Sequence, residues 1–141
     1  MNKLHMVYFL GIGGIGMSAL ARYFHSKGIN VSGYDKTPTF ITKELMDDGI
    51  KIHFSENINL IPPDTDLVNY TPAIPESNQE FQYFVKNKFD LKKRSEILGQ
   101  ITHNKFTIAV AGTHGKTTIS SIIAHILKSN GLEVTALVGG I

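Results

Sequence analysis

Twice in this chain a short run of strand-forming residues ends at a glycine-rich turn and resumes with helical spacing. That repetition constrains the fold more than any other feature. Residues 4–10 are mostly apolar and stop at Gly11, and such a run bounded by glycine reads as a strand buried on both faces. Beyond the turn Met17, Leu20, Ala21 and Phe24 recur at helical spacing, and Gly28 stands where a left-handed residue would close the helix. Residues 29–34 are extended again. Strand, turn, helix and strand make a βαβ unit, whose crossover forces the two strands to be parallel. The pattern returns with a β-prone run over 106–111, a turn over 112–116, a helix marked by Ile119, Ile122, Ile123, Ile126 and Leu127 and closed by Gly131, and a strand over 132–138.

The stretch between is expected to hold a helix over 42–48, strands over 50–54 and 66–70, a loop over 71–78 with Pro72 and Pro75, a helix over 80–86, an edge strand over 89–91 and a helix over 94–102. The last expected strand runs straight into Gly139-Gly140-Ile141. A lone βαβ unit exposes apolar faces and edges, so residues 104–141 read as the opening of a domain whose remainder is absent.

Composition removes several classes of function. With 42% hydrophobic residues, 18% charged, 13 Gly and 5 Pro, the chain is neither disordered nor collagenous. Zero cysteines leave no disulfide framework and no thiolate metal site. Fourteen Lys and Arg against twelve Asp and Glu give +2, too even a balance to announce a nucleic-acid partner. His5, His25, His53, His103, His114 and His125 form no HxxxH or HxH pair, so no metal cluster is expected. The basic run Lys86, Lys88, Lys92, Lys93 and Arg94 lacks an aromatic platform and reads as a solvated face. No apolar run approaches the roughly 20 residues that span a bilayer, and no signal-peptide pattern follows Met1, so the expected location is the cytoplasm.

The two turns carry the chemistry. Gly11-Ile12-Gly13-Gly14-Ile15-Gly16 is a G-x-G-x-x-G, in which glycine allows a sharp turn and lets a diphosphate approach bare backbone at a helix N-terminus. Asp35, 19 residues after Gly16 at the end of the next strand, is placed to reach a ribose hydroxyl. The fingerprint specifies a nucleotide diphosphate rather than NAD, and a packing role alone is the competing explanation. The second turn, Gly112-Thr113-His114-Gly115-Lys116-Thr117-Thr118, departs from a strict Walker A because Val110 stands where its first glycine would be. Its successive N–H groups would wrap phosphates, Lys116 would set a compact charge on the β- and γ-phosphates, and the Thr117 hydroxyl would hold Mg²⁺. A bare lysine at a helix start opposes the helix dipole unless an anion is bound. Two unlike phosphate turns about a hundred residues apart point to two substrates, a nucleotide-linked acceptor and ATP.

In the order and spacing of its blocks the sequence resembles the Mur ligases of peptidoglycan synthesis. The blocks are residues 9–18, FLGIGGIGMS; residues 31–35, VSGYD; residues 69–74, NYTPAI; and residues 111–118, AGTHGKTT. The resemblance implies an α/β protein. Residues 1–103 would be a Rossmann-like, parallel-sheet N-terminal domain with helices on both faces, holding the UDP part of a substrate. Residues 104–141 would be the opening βαβ P-loop unit of a truncated central ATP-binding domain. It implies UDP-sugar contacts from Gly11, Gly13, Gly14, Ile15, Gly16, Met17, Ser18, Asp35, Thr71, Pro72 and Ala73, and ATP contacts from residues 112–118, with Lys116 catalytic and Thr117 a Mg²⁺ ligand. The implied reaction is ATP-dependent addition of L-alanine to UDP-N-acetylmuramate through an acyl phosphate, with this piece alone inactive. Tripeptide-recycling ligases of the same superfamily share the second loop but generally lack Gly-Ile-Gly-Met-Ser, which favours the alanine-adding branch. An NAD-dependent oxidoreductase would leave the Lys116 loop unexplained.

Overall fold

The computed structural model describes residues 3–138, and the Gly139-Gly140-Ile141 end expected to follow a strand lies outside them. Five strands form one parallel sheet: β1 (Met6–Leu10), β2 (Asn30–Tyr34), β3 (Lys51–His53), β4 (Leu67–Tyr70) and β5 (Leu91–Lys93), in the order β3-β2-β1-β4-β5. The helices are α1 (Ile15–Ser26), α2 (Phe40–Asp47), α3 (Gln79–Lys86), α4 (Arg94–Thr102) and α5 (Lys116–Ser129). The sheet order reverses between β1 and β4, and in such sheets ligands bind beyond the carboxyl ends of the strands at that reversal.

Because β1 is buried on both faces, its alternate residues feed two cores. Val7 and Phe9 join Leu67 of β4 in packing against Met17, Leu20, Ala21 and Phe24 of α1, Leu45 of α2, and Ile97 and Ile101 of α4. Tyr8 and Leu10 join Tyr34 and Val68 in packing against Phe84 of α3 and Ile61. Helices therefore cover both faces, as the period-2 and period-3.6 patterns require.

Local chemistry sets the helix ends. Gly28 is left-handed (φ 76°) after α1, as its place in the sequence implied. Thr39 Oγ1 accepts from Thr42 N–H (3.2 Å) while Thr42 Oγ1 accepts from Thr39 N–H (2.8 Å), a reciprocal cap that fixes the start of α2. The edge strand β5 begins two residues later than expected. Phe89 is instead drawn onto Phe84 and Tyr83, with ring centroids 5.0 and 5.8 Å apart, and its N–H closes α3 on Phe84 O.

The second unit differs from expectation. Its helix α5 and its turn form, but residues 106–111 and 132–138 are not strands. A strand exists through its ladder, and among the described residues neither run has a neighbour to pair with. Phe106 is 95% exposed and no residue of α5 is buried. Leu137 alone of the last run packs against the α1 side of the main core.

Candidate functional site

The first turn closes on itself through hydrogen bonds that account for most of its amides. Gly11 and Ile12 N–H both donate to Tyr34 O (2.8 and 3.1 Å), Gly14 N–H donates to Gly11 O (3.3 Å), and Gly13 N–H donates to Asp35 Oδ2 (2.8 Å). Asp35 Oδ1 accepts from Thr37 N–H (3.0 Å). Asp35 thus stands at the end of β2 beside the turn, as its spacing implied, and clamps that turn. Gly11 is left-handed (φ 85°), and a Cβ there would lie 2.6 Å from Thr71 Cγ2. The loop after β4 and the turn after β1 are therefore in contact across the point where the sheet order reverses. A Cβ on Gly13 would lie 2.8 Å from Thr42 Cγ2, so α2 also closes on the turn.

What remains free is the start of α1. Ser18 N–H reaches Gly14 O (2.8 Å), but the N–H groups of Ile15, Gly16 and Met17 have no acceptor among the described residues, and the first turn holds no acidic residue. Three aimed N–H groups at a helix N-terminus make an anion site. Met17 offers it a backbone N–H only, since its side chain is in the core, and Ser18 offers no free donor, its N–H being held by Gly14 O and its buried hydroxyl donating to Ile15 O (2.9 Å). Thr71 is half-buried with Oγ1 accepting from Ala73 N–H (3.4 Å), while Pro72 and Ala73 are exposed.

Below this rim lies a polar cluster that the sequence did not suggest. Glu80 is fully buried; its Oε2 accepts from Tyr8 Oη (2.6 Å), and its Oε1 lies 2.6 Å from His53 Nε2 and accepts from Asn57 N–H (2.9 Å). Burial, followed by the neighbouring Glu80, pushes the Tyr8 phenol far above its ordinary value. Burial and the carboxylates of Glu56, Glu80 and Asp35 raise Tyr34 in the same direction. Asp35 N–H donates to His53 O (3.2 Å), so the cluster holds the strand edge from which Asp35 projects. One signal was available: Glu80 and Phe84 lie four apart, on the buried side of α3.

The second loop is open. Gly112 (φ 151°) and Gly115 (φ 77°) adopt backbone conformations that side-chain-bearing residues avoid, and Gly115 caps α5. Lys116 Nζ donates to Gly112 O (2.5 Å), Thr117 is half-buried at the second helical position, and Thr113, His114 and Thr118 are exposed. An ammonium folded over a loop of glycines, with a hydroxyl beside it and no carboxylate paired to it among the described residues, fits a phosphate chain with Mg²⁺.

Residues 6–106 match the catalytic domain of the Mur ligase family. The chain belongs to that family. It is 59% identical over its whole length to the UDP-N-acetylmuramate–L-alanine ligase of Flavobacterium psychrophilum, of which it covers 32%. It is 52% identical to the enzyme of that name from Porphyromonas gingivalis, over 96% of the chain and 31% of the relative. Among solved structures, the UDP-N-acetylmuramate–alanine ligase of Thermotoga maritima superposes with a TM-score of 0.81 at 31% identity, covering 96% of this chain and 35% of that one. A UDP-N-acetylmuramate:L-alanyl-γ-D-glutamyl-meso-diaminopimelate ligase from Neisseria meningitides gives 0.87 at 25% identity, covering 99% and 44%. The chain thus spans about a third of the length of the curated Mur ligases it matches. No helix among the described residues is long and apolar enough to cross a membrane.

Proposed function

We propose that this chain is the UDP-sugar-binding part, with the opening of the ATP-binding part, of a cytoplasmic ligase that adds L-alanine to UDP-N-acetylmuramate. The observation that carries it is the free N-terminus of α1, set at the reversal of the sheet between a clamped glycine turn and the loop at Thr71-Pro72-Ala73. Identity of 59% to an alanine-adding enzyme over the whole chain, against 25% to the recycling ligase, favours the alanine-adding branch. Residues 1–103 form the UDP-sugar domain. Residues 104–141 begin the ATP domain, where the amides of 116–118, Lys116, Thr113 and His114 hold the phosphates and Thr117 is a ligand for Mg²⁺.

A carboxylate is a poor electrophile. In this scheme the lactyl carboxylate of UDP-N-acetylmuramate attacks the γ-phosphorus of ATP, releasing ADP and forming an acyl phosphate, and the amine of L-alanine then displaces inorganic phosphate. Mg²⁺, when bound, neutralises charge on the phosphates. Lys116 and the loop amides orient the chain and stabilise the charge spread over the transferring group, so the protein's share is positioning and electrostatics.

Calorimetric titration tests the division of labour. UDP-N-acetylmuramate is expected to bind the chain and NAD is not; the reverse result overturns the assignment. Lys116→Ala should weaken ATP at least about tenfold, the scale of one lost charge-assisted contact, and leave UDP-N-acetylmuramate unchanged. The chain alone, supplied with ATP, Mg²⁺, UDP-N-acetylmuramate and L-alanine, should release no phosphate above background.

A further inference from the structure

Glu80 lies outside both glycine turns, a fully buried carboxyl in the first turn of α3. Its three donors come from three places in the fold: Tyr8 from β1, His53 from the end of β3, and Asn57 from the loop that leaves β3. A carboxylate only accepts, so His53 Nε2 carries the hydrogen that it shares with Glu80. The rings of Tyr34 and Tyr8 flank His53 with centroids 5.7 and 6.3 Å away, and Nε2 alone of its ring nitrogens is bonded among the described residues. Glu56, in the loop after β3, returns the link by accepting from Gln79 N–H at the start of α3 (2.8 Å). The exit of β3 and the start of α3 are thus tied by two reciprocal bonds, each spanning 23 positions.

The strand so held has little else to hold it. β3 is three residues long and forms an edge of the sheet, pairing with β2 alone among the described residues. Its last carbonyl carries the next link, since His53 O accepts from Asp35 N–H (3.2 Å), and Asp35 Oδ2 in turn accepts from Gly13 N–H (2.8 Å). A continuous path of hydrogen bonds therefore runs from a buried carboxylate in α3, through the ring and backbone of His53, to the carboxylate expected at a ribose. A hydrogen bond weakens steeply once its angle falls below about 120°. An Asp35 free to drift would lose its grip on a hydroxyl while the fold persisted.

We propose that Glu80 and His53 are positioning residues for the nucleotide: their bond fixes the end of β3, and through it the carboxylate of Asp35, so that the pair governs selectivity for the ribose 2′-hydroxyl without touching the ligand. This rests on the assignment of the first turn to a UDP-linked substrate with Asp35 at its ribose.

Calorimetric titration of the whole chain with UDP, 2′-deoxy-UDP and inorganic pyrophosphate tests it. The parent should prefer UDP to 2′-deoxy-UDP by about threefold to tenfold, the scale of one hydrogen bond. His53→Phe keeps a ring but not the donor; it should lose that preference while its affinity for pyrophosphate stays unchanged. His53→Gln, whose NH₂ can stand in for Nε2–H, should recover most of the preference. Glu80→Gln, which keeps an acceptor without its charge, should fall between the parent and His53→Phe. Tyr8→Phe removes a different donor from the same carboxyl, so it should lower the thermal midpoint and keep the preference. An unchanged preference in His53→Phe or in Glu80→Gln, or an equal loss in Tyr8→Phe, overturns the positioning role and leaves the nucleotide assignment standing. A parent that binds UDP and 2′-deoxy-UDP alike overturns the ribose contact and this proposal with it. A parent that binds pyrophosphate and neither nucleotide overturns the UDP assignment as well.

Discussion

Replacing Glu80 separates a built polar core from incidental burial. Three groups converge on its carboxyl: Tyr8 Oη and His53 Nε2 at 2.6 Å and Asn57 N–H at 2.9 Å. The two short contacts lie in the range of charge-assisted bonds, each worth about 1.5–3 kcal/mol against roughly 0.5–1.5 for neutral ones. Glu80→Gln keeps the shape. Its oxygen can face His53 and Asn57 while its NH₂ turns to the Tyr8 oxygen, so each bond survives without charge assistance, a loss of roughly 2–3 kcal/mol in total. For a chain of this size that lowers the thermal midpoint by about 6–12 °C. Glu80→Ala is worse, since it takes the shared acceptor from buried Tyr8 and half-buried His53 and Asn57, leaves Tyr8 Oη and His53 Nε2 only their longer mutual contact of 3.3 Å, and opens a cavity, each lost partner costing about 1–3 kcal/mol. The sum, at least about 4 kcal/mol, is a large share of the 5–15 kcal/mol by which whole domains are stable. Thermal and urea unfolding at pH 7, followed by circular dichroism, measure both. A Gln variant within about 2 °C of the parent, or an Ala variant no less stable than the Gln one, would show that the cluster contributes packing alone.

Two further substitutions probe the sheet. Gly33 stands opposite Phe9 in the β1–β2 register, and a Cβ there would lie 2.5 Å from the Phe9 carbonyl oxygen, a backbone atom that cannot swing aside; Gly33→Ala should cost about 1–3 kcal/mol in urea unfolding and weaken UDP-sugar binding by displacing the turn. Asp66 accepts from the N–H groups of His5 (2.7 Å) and Met6 (3.0 Å), and these bonds, Met6 first, hold its carboxyl below the usual range. A depressed folded value stabilises above the unfolded pKa and is lost as pH falls through the folded one. Asp66→Asn should therefore melt lower than the parent at pH 7, and the gap should close as both are acidified below the usual carboxylate range; a gap constant across that range refutes the link.

Elements set by neighbours in sequence were legible. The period change from 2 to 3.6 around Gly11, the left-handed glycines at 28 and 131, and the helix at Arg94–Thr102 depend on local sterics and apolar spacing. What depended on strand order was not. Arg94 reaches Gly16 only because β4 and β5 carry α4 round to the face of α1, and Glu80 meets Tyr8 across 72 positions and His53 across 27. The strands expected over 106–111 and 132–138 failed for the same reason in reverse, because β-propensity is satisfied only by a neighbouring strand.

The two glycine turns show how far a motif carries. Both were legible as phosphate loops, and in both the fold leaves the first three helical amides free. In the first, however, the glycine amides themselves are occupied, by Tyr34 O, Gly11 O and Asp35 Oδ2. Of the amides that the sequence offered to a diphosphate at this turn and helix start, those of Ile15, Gly16 and Met17 alone are without an acceptor among the described residues. In the second, the charge sits in the loop itself, with Lys116 folded onto Gly112 O. The first turn carries no lysine of its own, and the nearest cation to its helix start, Arg94, comes from 78 residues beyond Gly16 in the chain. A P-loop encodes its counter-charge locally, whereas a dinucleotide-type turn meets its diphosphate with backbone N–H groups and the helix N-terminus.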